Sequence, residues 1–444
     1  MENTSIERIK EIRERQERFF RSGATLDVKW RLERLRAFEA AVRKWEKPLC
    51  EALWTDLHKS YEEAYLTEVS ILLGEIRSHI HNIRKWSRPQ RKATPLKMFP
   101  SRSRIISEPL GTALIISPWN YPVQLLLTPL VGAISSGCTA VLKPSPYVPN
   151  VSNVTQRMIE DTFSDEYVAV VQGNREVNSA LLEERWDLIF FTGSPALGRI
   201  VMELGGKSPC IVDKDADIKV AAKRIAWGKS LNAGQTCIAP DYLMIHEEIK
   251  DEFLKELETS FKELLGADAS TTGHFVRIVN DKAFDRLEGY LKDGRITFGG
   301  HTDRDDRYFE PTVLDGVSPD APVMREEIFG PIFPVQTFKD IDEVISFVTS
   351  REKPLALYYF GSRGDYVLRH TSSGGACIND TIMHIANENI PFGGVGNSGL
   401  GSYHHKRSFD AFTHYRAVVT TPTWLDLPFR YMPYKFFKAV KRLL

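Results

Sequence analysis

From residue 112 onward, short apolar runs alternate with stretches of helical spacing, and this alternation constrains the fold more than any other feature of the chain. The runs lie at 112–116, 139–142, 168–171, 187–191, 210–212, 242–245, 355–360 and 376–378. Several are apolar without interruption, as expected of strands that helices cover on both faces. Strands that alternate with helices predict parallel sheets and an α/β architecture. The first ninety residues differ. There Trp30, Leu32, Leu35, Phe38, Val42 and Trp45, and then Val69, Leu72, Leu73, Ile76, Ile80 and Ile83, recur at helical spacing. Pro89 and the basic stretch up to Pro100 close that helical region. At 444 residues the chain exceeds what one core supports, and its length suggests about three domains.

Composition narrows the class. Lysine plus arginine number 58, as do aspartate plus glutamate, so no net field favours nucleic acid or an acidic membrane. The first ten residues are polar, without the apolar core of a signal peptide, and no run reaches membrane-spanning length. The five cysteines, Cys50, Cys138, Cys210, Cys237 and Cys377, form no CxxC pair, a reduced intracellular pattern that predicts a cytoplasmic protein. No HxxxH or HExxH occurs, so no metal site is expected. At the C-terminus Phe436, Phe437, Val440, Leu443 and Leu444 oppose Lys435, Lys438, Lys441 and Arg442. This basic amphipathic helix either packs at the end of the fold or makes weak contact with a membrane surface.

Four segments could carry chemistry. Cys237 lies in Asn232-Ala-Gly-Gln-Thr-Cys-Ile-Ala-Pro, a loop of small residues after a helical stretch at 220–231. An exposed thiolate there would attack a carbonyl carbon, and Gly234 would allow close approach; a buried structural thiol is the ordinary alternative. Glu203 precedes two glycines and could be placed as a general base, or stand as a solvated turn residue. Asn120, in Ser117-Pro-Trp-Asn-Tyr-Pro, follows the strand at 112–116, where α/β sheets put ligands. Its amide could donate to an oxyanion, or it could serve as a turn residue between two prolines. Finally, Gly193-Ser194-Pro195 turns a strand into a capped helix start, which makes an anion site for a phosphate. The literal GxGxxG from Gly394 to Gly399 is rejected as a dinucleotide fingerprint, because no clear strand precedes it and no apolar helix follows.

Together these segments match one family. The ordered motifs Pro118-Trp-Asn-Tyr-Pro, Leu142-Lys-Pro-Ser, Phe191-Thr-Gly-Ser, Glu203-Leu-Gly-Gly-Lys-Ser-Pro, Gly234-Gln-Thr-Cys, Glu327-Ile-Phe-Gly-Pro and Pro391-Phe-Gly-Gly resemble the aldehyde dehydrogenase superfamily over residues 5–425. Ala239-Pro-Asp-Tyr and Gly401-Ser-Tyr-His-His-Lys look like its class 3 and fatty-aldehyde branch. The resemblance implies a Rossmann-like NAD(P)-binding domain at 1–95 and 112–202 and an α/β catalytic domain at 203–401. It also implies a small β arm at 96–111 and 402–423 that pairs two subunits into a homodimer, leaving a tail at 424–444. Cys237 would be the nucleophile, Asn120 the oxyanion donor and Glu203 the base that hydrolyses a thioester. Trp119, Lys143, Gly193, Ser194, Leu204, Gly205, Glu327 and Phe329 would hold NAD or NADP, while Tyr121 and Phe392 would line the aldehyde channel. The substrates implied are medium or long aliphatic, or aromatic, aldehydes, oxidised to carboxylic acids.

Two departures bear on this reading. Pro146 stands where many relatives carry a glutamate that discourages a 2′-phosphate, which opens the site to NADP. Only nine positions separate Ser194 from Glu203, whereas the family has roughly a dozen more. A helix begun at Ser194 would therefore leave no chain to return Glu203 to the site; an omitted stretch is the favoured explanation, a true deletion the other. Among other functions, an acylating dehydrogenase that passes the thioester to coenzyme A is disfavoured by the presence of Glu203. A binding protein on a retired scaffold is disfavoured by the survival of Cys237 and Asn120. A thiol hydrolase lacks a nearby Cys-His motif.

Overall fold

The computed structural model describes residues 3–193, 203–204, 206–426, 431–434, 436–438 and 441, with Glu203 and Leu204 described by their backbone. The N-terminal region is helical, as its periodicity predicts. Helix Val28–Leu57 starts at Asp27, whose side chain accepts from the Lys29 N–H, and stops where His58 turns left-handed at φ 53°. Its face of Leu35, Phe38, Val42, Leu49 and Leu53 is fully buried. It packs against helices Pro149–Thr162, Ser70–Trp86 and Gln124–Ser136.

All eight strands expected from the sequence form, with ends displaced by no more than two residues. They fall into two sheets. The first has the spatial order Val168–Val170, Thr139–Lys143, Thr112–Ile116, Leu188–Gly193 and Glu203–Leu204, all parallel. The second runs Arg295–Phe298, Thr312–Asp315, Ile332–Phe338, Tyr242–His246, Pro209–Val212, Ala356–Phe360 and Gly375–Ile378, parallel except for its first pair. The short spacing before Glu203 has a different outcome from the one expected. Glu203 pairs with Thr192, and Leu204 with Gly193, across the connection 194–202. The backbone therefore does return to the sheet, through a link shorter than the dozen or so residues usual for a parallel crossover. Ser194 itself, Gly205 and the helix expected to start at Ser194 lie outside the described residues.

A third sheet joins Gln90–Lys92, Arg102–Pro109 and Thr413–Thr420 in antiparallel order. The chain enters its last strand through a turn docked on a buried carboxylate. Glu75 accepts from the His405 N–H at 2.7 and 2.8 Å and from the Ser408 hydroxyl at 2.7 Å. The His79 ring lies 3.2 Å from the same carboxylate. Burial alone would raise the Glu75 carboxyl, but hydrogen bonds and charge from His404 and His79 hold it well below the ordinary carboxylate range. Of the residues that make the tail's amphipathic pattern, Phe436, Phe437, Lys438 and Lys441 are described, and both phenylalanines are exposed; Lys435, Val440, Arg442, Leu443 and Leu444 lie outside. No described helix is long and apolar enough to cross a membrane.

Candidate active site

A cleft of about 1330 Å³ opens at the carboxyl ends of the first sheet and faces the loops of the second, where open α/β sheets place their ligands. It is larger than the roughly 300–1000 Å³ of a pocket for one small molecule, so two ligand moieties can share it.

Of the five cysteines, only Cys237 lines this cleft, and it is half-buried. Cys50, Cys138 and Cys210 are buried, and burial raises their thiols, that of Cys50 to about 12. Cys377 is half-buried with its sulfur 3.4 Å from His384 Nδ1, and burial raises it to about 11. The loop bearing Cys237 is strained and pinned. Asn232 and Ala233 hold left-handed φ values of 52° and 51°, costly for residues with a Cβ. Gly234, at φ 71°, passes so close to Gly330 that a Cβ would lie 2.4 Å from the Gly330 carbonyl oxygen. The Gln235 amide locks the turn: Nε2 donates to the Asn232 and Arg277 carbonyls at 3.1 and 3.0 Å, and Oε1 accepts from the Val279 N–H at 3.1 Å. The sequence shows a loop of small residues in which Gly234 allows close approach, and the approach to Gly330 bears that out. The loop's rigidity comes from Arg277 and Val279, which are remote in the chain.

Asn120 lines the same cleft and is buried. Its Nδ2 donates to the Gln235 carbonyl at 3.1 Å, which ties the two loops together. Trp119 meets Phe329 edge-on, with ring centroids 5.3 Å apart, and Phe329 sits at φ 51°. Tyr121 is buried with its hydroxyl 2.7 Å from Thr236 Oγ1, and Phe392 is buried among Tyr403, His384 and His404; neither lines this cleft. The side chains of Glu203 and Leu204 lie outside the description, although Thr192 and Gly193, their strand partners, line the cleft.

Polar groups left without partners show what the cleft is built to hold. Ser117 Oγ, Asn120 Oδ1, Asn178 Oδ1, Thr192 Oγ1 and Glu327 Oε1 are all sealed from solvent with no hydrogen bond, and all five residues line the cleft. Such groups are costly unless a ligand satisfies them. Lys143, buried at the end of its strand, donates only to the Pro144 carbonyl at 2.8 Å, and burial pushes its ammonium down to about 8. The Glu327 carboxyl is pushed well above its usual range by burial and by Asp241, against a Gly206 N–H and Lys207. A hydroxyl-rich ligand with phosphates fits this donor and acceptor set, as a dinucleotide would.

The loop carrying Glu327 and Phe329 is anchored by residues the sequence did not single out. Lys207 pairs with Asp241 and donates to the Val323 and Glu326 carbonyls at 2.7 and 3.0 Å. Asp241 accepts from the Ile328 N–H at 2.9 Å, and Arg286 donates to the Ile328 carbonyl at 2.7 Å. Among the described residues no cluster of metal-ligating side chains occurs. The rejected GxGxxG forms a tight loop with a 3-10 turn at Gly396–Ser398, and Asn397 and Ser398 reach the rim of the cleft.

The chain matches the aldehyde dehydrogenase family over residues 1–418. It is 44% identical to 4,4′-diaponeurosporen-aldehyde dehydrogenase of Staphylococcus aureus, over 95% of this chain and 96% of that one. It is 38% identical to a dimeric NADP-preferring aldehyde dehydrogenase of Canis lupus familiaris, over 96% and 98%. The substrate-bound state of Staphylococcus aureus AldH superposes with a TM-score of 0.96 at 43% identity, covering 98% of this chain and 99% of that one. The polar cleft, its single lining thiol and the match of nearly the whole chain agree, and the chain belongs to the aldehyde dehydrogenase family as an NAD(P)-dependent aldehyde dehydrogenase.

Proposed function

We propose that Cys237 is the nucleophile and that oxidation runs through a covalent acyl-enzyme. The observation that carries this reading is that the one cysteine lining the cleft sits on a pinned loop tied directly to Asn120. The Cys237 thiolate would add to the aldehyde carbon, and the oxyanion of the thiohemiacetal would accept from Asn120 Nδ2 and the Cys237 N–H. Bound NAD or NADP supplies the hydride acceptor. Departure of hydride from the former aldehyde carbon leaves a thioester on Cys237. Glu203 would take a proton from the water that hydrolyses it, releasing the carboxylic acid and restoring the thiolate. Its backbone position beside Thr192, a cleft residue, supports that role.

The unpartnered polar groups support a cofactor assignment in which Lys143 and Glu327 hold the two riboses and Trp119 and Phe329 pack near the nicotinamide. Gly193, Ser194, Leu204 and Gly205 would meet the remainder of the dinucleotide. Pro146, exposed at the cleft and uncharged, leaves a 2′-phosphate unopposed, so both NAD and NADP are accepted. Residues 1–95 and 112–202 form the cofactor domain, 203–401 the catalytic domain, and 96–111 with 402–423 an arm that joins two subunits in a cytoplasmic homodimer. The substrates are medium or long aliphatic, or aromatic, aldehydes.

Product analysis tests the central claim. The enzyme should form carboxylate and NAD(P)H in equal amounts without coenzyme A, and Cys237→Ala should abolish turnover while dinucleotide binding persists. Retained turnover would remove the nucleophile assignment. An acyl-coenzyme A product would replace hydrolysis with acyl transfer.

A further inference from the structure

Behind the two loops that carry Cys237 and Asn120 lies a set of charged groups, two buried and one half-buried, that the reaction does not use. We propose that Lys59, Glu63 and Glu68 form a charge clamp that positions the oxyanion donor and the nucleophile loop against one another. This rests on the assignment of Cys237 and Asn120 made above.

Local sequence places the three groups. Lys59 follows the left-handed residue that ends helix Val28–Leu57. A helical turn at Tyr61–Ala64 then runs into one π turn at Tyr65–Val69. A π turn closes on bonds between residues five apart and recurs at functional sites, so Glu63 and Glu68, five apart, come toward the same face. Lys59 and Glu68 are completely buried and paired at 2.6 Å.

Each group reaches catalytic backbone. Lys59 Nζ donates to the Asn120 carbonyl at 3.2 Å and lies 4.3 Å from the centre of the Tyr121 ring. Glu68 Oε2 accepts from the Val123 N–H at 2.8 Å and the Gln124 N–H at 3.3 Å, at the start of helix Gln124–Ser136. That start has no side-chain cap of its own, so Glu68 supplies one from elsewhere in the chain. Glu63 Oε1 accepts from the Asn232 N–H at 2.7 Å, at the first of the two strained residues of the nucleophile loop. Asn232 Nδ2 closes the circuit, donating to the carbonyls of both Asn120 and Gln235 at 2.9 Å. A buried ion pair is weak evidence for stability in general. Here every remaining bond of the trio ends on the main chain of the turn bearing Asn120, the helix start after it, or the loop before Cys237. The clamp residues are positioning residues and touch no reacting atom.

The rate constant of the first-turnover NAD(P)H burst tests this, measured with dinucleotide affinity. Displacing a catalytic group by about an ångström costs on the order of a hundredfold in rate. Glu63→Ala and Lys59→Met should therefore slow the burst by roughly ten- to a hundredfold, with dinucleotide affinity within about twofold. Glu63→Gln, which keeps the acceptor, should restore most of the rate. In an Asn120→Ala background, Lys59→Met should add little, because coupled groups are not additive. If Asn120→Ala slows the burst but neither clamp variant does, or if the losses multiply, the clamp is overturned and the site reading stands. If Asn120→Ala leaves the burst unchanged, the site reading and the clamp fall together. Should Lys59→Met fail to fold, Glu63→Ala and its Gln rescue decide alone: a full rate in Glu63→Ala, or no rescue by Gln, overturns the clamp.

Discussion

At the scale of single residues, the groups that do chemistry are legible in the sequence and those that hold them are not. Cys237 and Asn120 stand in short motifs whose chemistry follows from residue type, and the structure puts both in one cleft. Lys207 and Asp241 also stand in quoted motifs, but their pairing could not be read there, because joining two charges so far apart along the chain requires the fold. Lys143 shows what burial adds. Burial alone lowers its ammonium to about 8, with no charged neighbour contributing. In the proposed assignment its positive charge serves the dinucleotide, so that service is complete well below pH 8 and fades as pH rises through it. Affinity should accordingly fall between pH 7 and 9.5, by a few fold and more for NADP than for NAD, because a 2′-phosphate is fully ionised across that range and feels the lost charge. Calorimetric titration of the Cys237→Ala protein isolates binding from turnover. Lys143→Met should bind weakly at every pH and show no such slope; a slope that survives the substitution assigns the titration elsewhere.

Among elements, the strands were legible wherever burial on two faces wrote a continuous apolar run, as at Thr112–Ile116 and Ala356–Phe360, both fully buried. Ile332–Phe338 escaped because Pro334 interrupts it, and proline argues against a central strand. The nine-position spacing before Glu203 is short when measured against a full helix, yet Thr192 still pairs with Glu203. The turn on Glu75 was invisible for another reason. His404 and His405 hold φ values of 79° and 51°, a conformation that residues with a Cβ adopt only when their surroundings enforce it. The enforcing group lies 330 residues away. Glu75→Gln should weaken the acceptor for the His405 N–H and remove the charge facing three histidines. Hydrogen bonds to a charged group contribute about 1.5–3 kcal/mol, and a loss of that size should appear as a lower urea midpoint at neutral pH. Because the Glu75 carboxyl is held below its unfolded value, its contribution is present above the unfolded pKa and lost as pH falls through the folded one. The two proteins should therefore converge in stability on acidification; an equal gap at acid and neutral pH would mean that the charge is not what holds the turn.

For the molecule as a whole, the three-stranded sheet raises a question that one chain does not answer by itself. Thr413–Thr420 pairs along its full length with Arg102–Pro109 and forms the outer edge of that sheet. A long open edge is a template for further pairing unless something covers it. Large apolar side chains in and beside the sheet, at Leu96, Phe99, Val419 and Trp424, are more than half exposed, which is unusual for a surface meant to face water. In the proposed homodimer a second copy covers both the edge and these side chains. Ala417 and Val419, exposed and two apart, share one face of the strand. Lysines at both positions would set like charges against that covering surface. The double variant Ala417→Lys, Val419→Lys should elute with the light-scattering mass of one chain where the unaltered protein shows two. The side chains assigned to the dinucleotide, Trp119, Lys143, Glu327 and Phe329, line the cleft together in one chain, so the separated subunit should still bind dinucleotide. An unaltered protein that runs as a single chain would remove the dimer, and a variant that stays dimeric would move the interface away from this strand.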